Sequence, residues 1–293
     1  MVKYFGQLLK FKLSITVVFS AMAGYMLGFD EFNLYHFIYL TFGGFLVTGS
    51  ANSFNQILEK EKDKLMLRTS NRPLPKENLS ILQASFFALI IGAYGLFLLN
   101  KINPEGSFYG LMSKSSFFGL ISIFIYVLSY TPLKRVSTIS IFVGAIPGAI
   151  PFLLGYVAAT DDFGLAAGVL FAIQFLWQFP HFISIAWVLD EEYKKAGFKM
   201  LFGGKKNKYP AIISVITSLL MTFVSITPYF YIIDLNLSIY SFIIILCLGF
   251  WFTLKSLKLY QNINDNSAKK LMLSSFIYLP IMQLVFVVDR FLF

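Results

Sequence analysis

Nine apolar runs, each of about 17 to 25 residues and parted by short polar loops, constrain this chain more than any other feature. They lie near 13–29, 34–56, 81–99, 115–132, 139–158, 165–189, 210–233, 238–254 and 271–288. A helix rises about 1.5 Å per residue, so roughly 20 residues cross a hydrocarbon layer about 30 Å thick. In lipid a helix satisfies its own N–H and C=O groups. The expected fold is an all-α integral membrane protein with nine transmembrane helices, a single domain over 1–293. A mean hydropathy of +0.70 and a hydrophobic fraction of 57% leave little chain for a soluble domain. Ala21-Met22-Ala23 resembles a signal-peptide cleavage site, but the apolar run continues beyond it and reads as a retained helix. Ser80 and Gln83 have capping-box spacing at the start of the third run. Cys247, the single cysteine, lies in an apolar run and is expected to be a structural thiol.

A net charge of +9 would suit nucleic acid if it formed one surface. It does not, and nucleic acid is excluded as a partner. If the N-terminus is cytoplasmic, 21 of the 24 basic residues fall in cytoplasmic segments, and only Lys101, Lys114 and Arg290 fall outside. That asymmetry supports the nine-span parity, a cytoplasmic N-terminus and an external C-terminus. It also puts the loops holding Arg68 and Lys205 on one side.

The stretch 49–75, GSANSFNQILEKEKDKLMLRTSNRPLP, carries the clearest chemistry. Asn55, Glu59 and Asp63 recur every fourth residue, which on a helix stacks them on one face with a drift of about 40° per step. Asn52 and Gln56 sit beside that face. Oxygen side chains at the wet end of a membrane helix suit a hard divalent cation. Arg68 and Arg72 follow, and guanidinium forks suit phosphate oxygens. The pattern points to a Mg²⁺–diphosphate site; its bland alternative is a solvated helix end.

The loop after the sixth run offers a second acidic helix end, Asp190, Glu191 and Glu192 before Tyr193, Lys194 and Lys195. On the same membrane side, such acids could complete a cation cage or simply face water. Lys134 and Arg135, in SYTPLKRVST, could reach a diphosphate or serve as topology anchors. The fifth run, GAIPGAIPFLLGY, combines small residues with Pro147 and Pro151, which favours close packing and a distorted helix. His181 lies roughly 13 Å inward from Asp190 behind Pro180, where a kink is expected, and an ionisable group at that depth defaults to function. His36 reads as interfacial. Phe175, Trp177, Phe179, Phe182 and Trp187 crowd His181, as packing or as faces for a carbocation, an isoprenoid tail or a porphyrin.

Asn55-x3-Glu59-x3-Asp63 with RTSNRPLP resembles the first aspartate-rich motif of the UbiA superfamily of intramembrane prenyltransferases. WQFPHF, Tyr193 with Ala196-Gly197, YTPLKR and GAIPGAIPFLLGY resemble its protoheme IX farnesyltransferase (heme O synthase) branch over about residues 10–290. The resemblance implies helices bundled around a central cavity that opens at the cytoplasmic side. It implies transfer of a farnesyl group from farnesyl diphosphate to a vinyl group of heme b, with water added, giving heme O. Asn55, Glu59 and Asp63 would hold Mg²⁺, or Mn²⁺ in its place, with Asp190 or Glu192 as further ligands. Arg68, Arg72, Lys134 and Arg135 would neutralise the diphosphate, with Tyr130, Tyr193 and Lys194 also on substrate, and His181 would lie near the heme. Membrane lipid, heme A synthase and terminal-oxidase assembly are the implied partners, and a bacterial cytoplasmic membrane the implied location. The chain departs from the pattern at Glu59, where aspartate is common, at the acids ahead of Tyr193, at Phe202 and at Phe152.

Two other functions fit parts of the sequence. A quinone-precursor prenyltransferase would share the metal motif without needing His181 in its Pro-His-Phe setting. A transporter would line a cation path with the polar helix faces, but would be expected to show inverted repeats or mid-membrane charge pairs.

Overall fold

The computed structural model describes residues 1–108, 110–231 and 233–293. Short α1 (Val2–Leu8) leads into α2 (Phe11–Gly28) and α3 (Leu34–Leu58), which continues after a break as α4 (Lys60–Asp63). The helix α5 (Ile81–Leu99) starts on the expected capping box of Ser80 and Gln83. A small hairpin, β1 (Ser107–Phe108) and β2 (Met112–Ser113), precedes α6 (Lys114–Phe124), a π-helical turn (Ile125–Tyr130) and α7 (Thr131–Leu133). Then come α8 (Ser140–Thr160), α9 (Leu165–Val188), α10 (Asp190–Lys195), α11 (Lys208–Ile226), α12 (Pro228–Tyr231), α13 (Ile239–Asn262) and α14 (Asp265–Leu292).

Among the described residues, eight helical segments are both long and apolar enough to cross a membrane: α2, α5, Lys114–Leu133, α8, α9, Lys208–Tyr231, α13 and α14. The expected ninth, α3, has 25 residues, and so has the length. His36, Asn52, Asn55 and Gln56 dilute its apolar character, because this helix carries the polar face. Two boundaries also differ from expectation. The turn between α13 and α14 holds only residues 263 and 264, so Lys255, Lys258, Lys269 and Lys270 ride on helix ends rather than in a loop. The hairpin of Ser107–Phe108 with Met112–Ser113 was not legible as strand.

The most enclosed helix is α8, packed along α2, α9 and α6. Its small residues allow that. A Cβ at Gly155 would stand 1.8 Å from the Ala21 carbonyl oxygen, and one at Gly24 would stand 2.1 Å from that of Phe152. Backbones this close exclude any larger residue, the small-residue contact expected where lipid supplies no hydrophobic drive between helices. Ala21 and Ala23 are buried in the middle of α2. Pro147, Pro151 and Pro180 all lie inside continuous helices.

At one end of the bundle three basic loops meet. The Lys199 N–H donates to the Lys134 carbonyl at 2.7 Å, and the Arg68 N–H to Glu192 Oε2 at 3.4 Å. The loops expected to share a side do so.

Candidate active site

The end of α3 builds the first wall. The ladder Glu59 N–H to Asn55 O (3.0 Å) and Asp63 N–H to Glu59 O (2.8 Å) carries the one-face spacing through the break at Glu59. Asn55, Glu59 and Asp63 all line one cavity of about 140 Å³, and all are buried. That volume is small beside the roughly 300–1,000 Å³ of a pocket enclosing a whole drug-sized ligand, so it suits a head group rather than an entire lipid. Four cations, Lys10, Arg68, Arg72 and Lys134, face the two carboxylates, an excess of positive charge that suits a polyanion.

Most of these charges have a defined partner. Arg72 Nη1 holds Asp63 Oδ2 at 2.7 Å, and the Thr69 hydroxyl donates to the Asp63 carbonyl at 2.9 Å. Burial, with the Glu59 charge nearby, pushes the Asp63 carboxyl above its ordinary value, while Arg72 pulls it down. Lys134 forms a buried ion pair with Glu59 and lies over the rings of Tyr130 (4.8 Å) and Phe198 (5.3 Å). Lys10 Nζ donates to Asn55 Oδ1 at 3.2 Å. Burial, reinforced by the Arg72 and Lys134 charges, lowers the Lys10 ammonium to about 7.

In the sequence Lys10 is simply one of the 21 basic residues of the cytoplasmic segments. What brings it in is local. Gln56 Nε2 donates to the Leu8 carbonyl at 2.9 Å and Asn52 Nδ2 to Ser14 Oγ at 3.3 Å, while Lys10 itself takes a left-handed φ of 48° between α1 and α2. The polar neighbours of the motif thus position the N-terminal segment. Tyr126 was also missed. Pro132 has no N–H for the helix ladder and its ring crowds the preceding turn; the ladder widens over Ile125–Tyr130 just before it. This turn aims Tyr126 and Tyr130 into the cavity, with ring centroids 5.2 Å apart. A Cβ at Gly144 would stand 2.6 Å from the Tyr130 ring, so α8 makes room for it.

The second acidic helix end contributes differently. Tyr193 and Phe198 line the cavity. A C-terminal turn fixes them: Phe198 N–H bonds Tyr193 O at 2.8 Å and Gly197 N–H bonds Lys194 O at 2.9 Å, with Gly197 at φ 71°. Asp190 faces Lys194 at 2.7 Å and Glu192 touches the Arg68 backbone, so Asp190, Glu192 and Lys194 lie outside the lining. Arg135 also lies outside it, donating to the Leu58 carbonyl at the end of α3 at 2.7 Å. His181 is likewise separate, bonded to Ser275 of α14 and stacked on Trp177 at 4.5 Å. His36 sits half-buried in the first turn of α3.

The donor set can be tested for a hard cation. Asp63 Oδ1 is buried without a hydrogen bond, Glu59 Oε1 is held by the Lys134 ammonium, which a cation would have to displace, and Asn55 adds an amide oxygen on the same wall. Among the described residues no three His, Cys, Asp or Glu side chains gather as a closed cage. One or two carboxylates completed by phosphate oxygens and water is the usual Mg²⁺ arrangement, so these residues fit that ion together with a diphosphate.

Comparison with known proteins agrees. The model of the UbiA prenyltransferase family matches residues 17–279. The protoheme IX farnesyltransferase of Flavobacterium psychrophilum is 49% identical over 292 residues, covering 98% of this chain and 94% of the relative. The solved structure of a digeranylgeranylglyceryl phosphate synthase superposes with a TM-score of 0.81 at 23% identity, covering 99% and 98% of the two chains. That of a UbiA homolog from Archaeoglobus fulgidus, bound to DMAPP and Mg²⁺, gives a TM-score of 0.72 at 17% identity, covering 98% of each.

Proposed function

The chain belongs to the UbiA prenyltransferase family, and from that premise we propose that it transfers a farnesyl group from farnesyl diphosphate to a vinyl group of heme b, giving heme O. It is an intramembrane prenyltransferase. The observation that carries the reading is the cavity where Asn55, Glu59 and Asp63 face Lys10, Arg68, Arg72 and Lys134. The near-full-length similarity to a farnesyltransferase of protoheme IX supports the acceptor.

Asn55, Glu59 and Asp63 would hold Mg²⁺, an ion that the A. fulgidus homolog binds together with DMAPP. Bound there, it supplies Lewis-acid stabilisation of the charge on the leaving diphosphate. The chain's own groups do the rest. Lys10, Arg68, Arg72 and Lys134 bind diphosphate oxygens and stabilise the negative charge that grows as the carbon–oxygen bond breaks. The electron pair of that bond leaves with the diphosphate. The faces of Tyr126, Tyr130, Tyr193 and Phe198 line the same cavity and favour the allylic cation. The vinyl carbon then bonds to the farnesyl carbon, and water captures the new cation as a hydroxyl with loss of one proton. We assign His181 to the acceptor. Arg135 serves the site by holding the end of α3, and Glu192 by holding the Arg68 loop. The cavity end, rich in loop Lys and Arg, is assigned to the cytoplasm of a bacterial cell, with Phe293 outside.

The test is purified protein in detergent with labelled farnesyl diphosphate, Mg²⁺ and either heme b or a hydroxybenzoate-type quinone precursor. Label should enter heme. Label entering only the quinone precursor would overturn the acceptor and leave the family intact.

A further inference from the structure

Away from the proposed diphosphate cavity, a polar clamp joins α9 and α14. Ser275 holds two aromatic residues of α9 at once. Its carbonyl accepts from Trp177 Nε1 at 3.1 Å, and its hydroxyl oxygen meets His181 Nδ1 at 2.8 Å. Trp177 and His181 stack on each other at 4.5 Å with an interplanar angle of 18°, and Phe276 closes the imidazole edge-on at 5.1 Å. The ring is fixed on three sides.

The hydrogen-bond arithmetic sets the tautomer. A serine hydroxyl has one proton and two lone pairs. That proton is committed to the Met272 carbonyl at 2.6 Å, one helical turn back on α14. Ser275 Oγ can therefore only accept from the imidazole, which puts the proton of neutral His181 on Nδ1. Nε2 keeps its lone pair. Among the described residues it has no hydrogen-bond partner, and it is not one of the buried atoms sealed from solvent.

We infer that Ser275 is a positioning residue that locks His181 as the Nδ1–H tautomer, so that Nε2 is presented as an axial ligand to the iron of the porphyrin acceptor. The inference rests on the proposed heme acceptor. Nε2 is already unprotonated, so ligation moves no proton. The Nδ1–H bond to Ser275 Oγ orients the ring and raises the basicity of Nε2, the part an outer-shell partner plays behind a histidine ligand. Iron ligation would hold the macrocycle from one face and leave its vinyl edge free for the cation.

The experiment is a titration of the full-length protein in detergent with ferric protoporphyrin IX, followed by its Soret and visible bands. A parallel titration uses metal-free protoporphyrin IX, followed by fluorescence. Wild type should give a histidine-ligated spectrum. His181→Gly should lose it and regain it with added imidazole. Ser275→Ala should weaken ferric porphyrin binding by about tenfold, the lower end for loss of an outer-shell partner. Neither variant should change binding of the metal-free porphyrin by more than about twofold. Equal weakening of both porphyrins would mean that the clamp only packs the helices, and overturns the inference. So would an unchanged spectrum in His181→Gly with heme farnesylation retained, which leaves the acceptor standing. No ferric porphyrin binding by wild type would overturn the acceptor and this inference together. Thermal unfolding of each variant identifies a misfolded preparation, and imidazole rescue of His181→Gly is then the deciding arm.

Discussion

At Glu59 the helix α3 stops with φ −102° and ψ 8°; at Leu189 the helix α9 stops with φ −101° and ψ 16°. Both breaks keep the four-residue ladder. Asp63 N–H bonds Glu59 O at 2.8 Å, and Tyr193 N–H bonds Leu189 O at 3.0 Å. Both lead into short helices, α4 and α10, at the same end of the bundle. With 100° of turn per residue, the break position and the fourth residue after it share a face about 40° apart, whereas the residue right after the break points 100° away. At the first break that shared face is Glu59 and Asp63. At the second it is Leu189 and Tyr193, and the acids fall to its side. The same backbone thus gives one wall of buried oxygen-bearing side chains and another that offers aromatic surface.

Removing charge from the first wall should have the greatest consequence. Glu59→Gln and Asp63→Asn should each lower turnover at least a hundredfold, about 2.7 kcal/mol in barrier. The double variant should lose much less than the sum if, as proposed, both act on one ion and its diphosphate. Both carboxylates are buried against Lys134 and Arg72, so each change also leaves a cation uncompensated. Stability should fall by about 3 kcal/mol or somewhat more, rather than staying level as for wet groups. Single-turnover rates should therefore be measured on the folded fraction. Additive losses would mean that the two carboxylates do not serve one site.

The first wall was legible because its spacing survives folding: 55, 59 and 63 read as one helix face, and they are one. The apolar runs were legible because length and hydropathy set them. The second wall was not, since an acidic run on a page carries no mark of where the helix breaks, and one residue of phase moves Asp190 off the shared face. Lys10 was hidden for another reason. It reaches the cavity only because Asn52 and Gln56, 42 and 46 positions further on, bond the backbone and side chain of its neighbours. The π-helical turn that aims Tyr126 was hidden too, although Pro132 marked where a ladder would be disturbed.

Lys10, a cation from the N-terminal segment, bonds Asn55 of the first wall. Lys10→Met keeps the length of the stem and removes the charge. Farnesyl diphosphate should bind about tenfold more weakly, the order expected for a charge-assisted bond of about 1.5 kcal/mol. Ferric porphyrin affinity should stay within about twofold. Calorimetric titration with a non-hydrolysable farnesyl diphosphate analogue reads the first number. An unchanged affinity would return Lys10 to its topological role.

The smallest expected effect tests the phase argument itself. Glu192 stands three residues past the second break, about 60° from its face, and Asp190 stands one past, about 100° away. Glu192 Oε2 accepts from the Arg68 N–H, and Arg68 lines the cavity; Asp190 faces Lys194, which does not. Removing one charge at each position should therefore give graded results. Glu192→Gln should lower turnover about fivefold, near 1 kcal/mol, because the bond that anchors the Arg68 loop keeps only a neutral acceptor in place of a charged one. Asp190→Asn should lower it less than threefold, since an acid paired with a half-exposed lysine contributes little. Measuring both with farnesyl diphosphate saturating, and again while titrating Mg²⁺, separates loop anchoring from metal binding. Loop anchoring leaves the half-saturating Mg²⁺ concentration unchanged. A hundredfold loss in Asp190→Asn, or a large rise in the Mg²⁺ required, would make the second helix end an oxygen wall like the first. The one-residue phase between the two breaks would then carry no consequence for the chemistry.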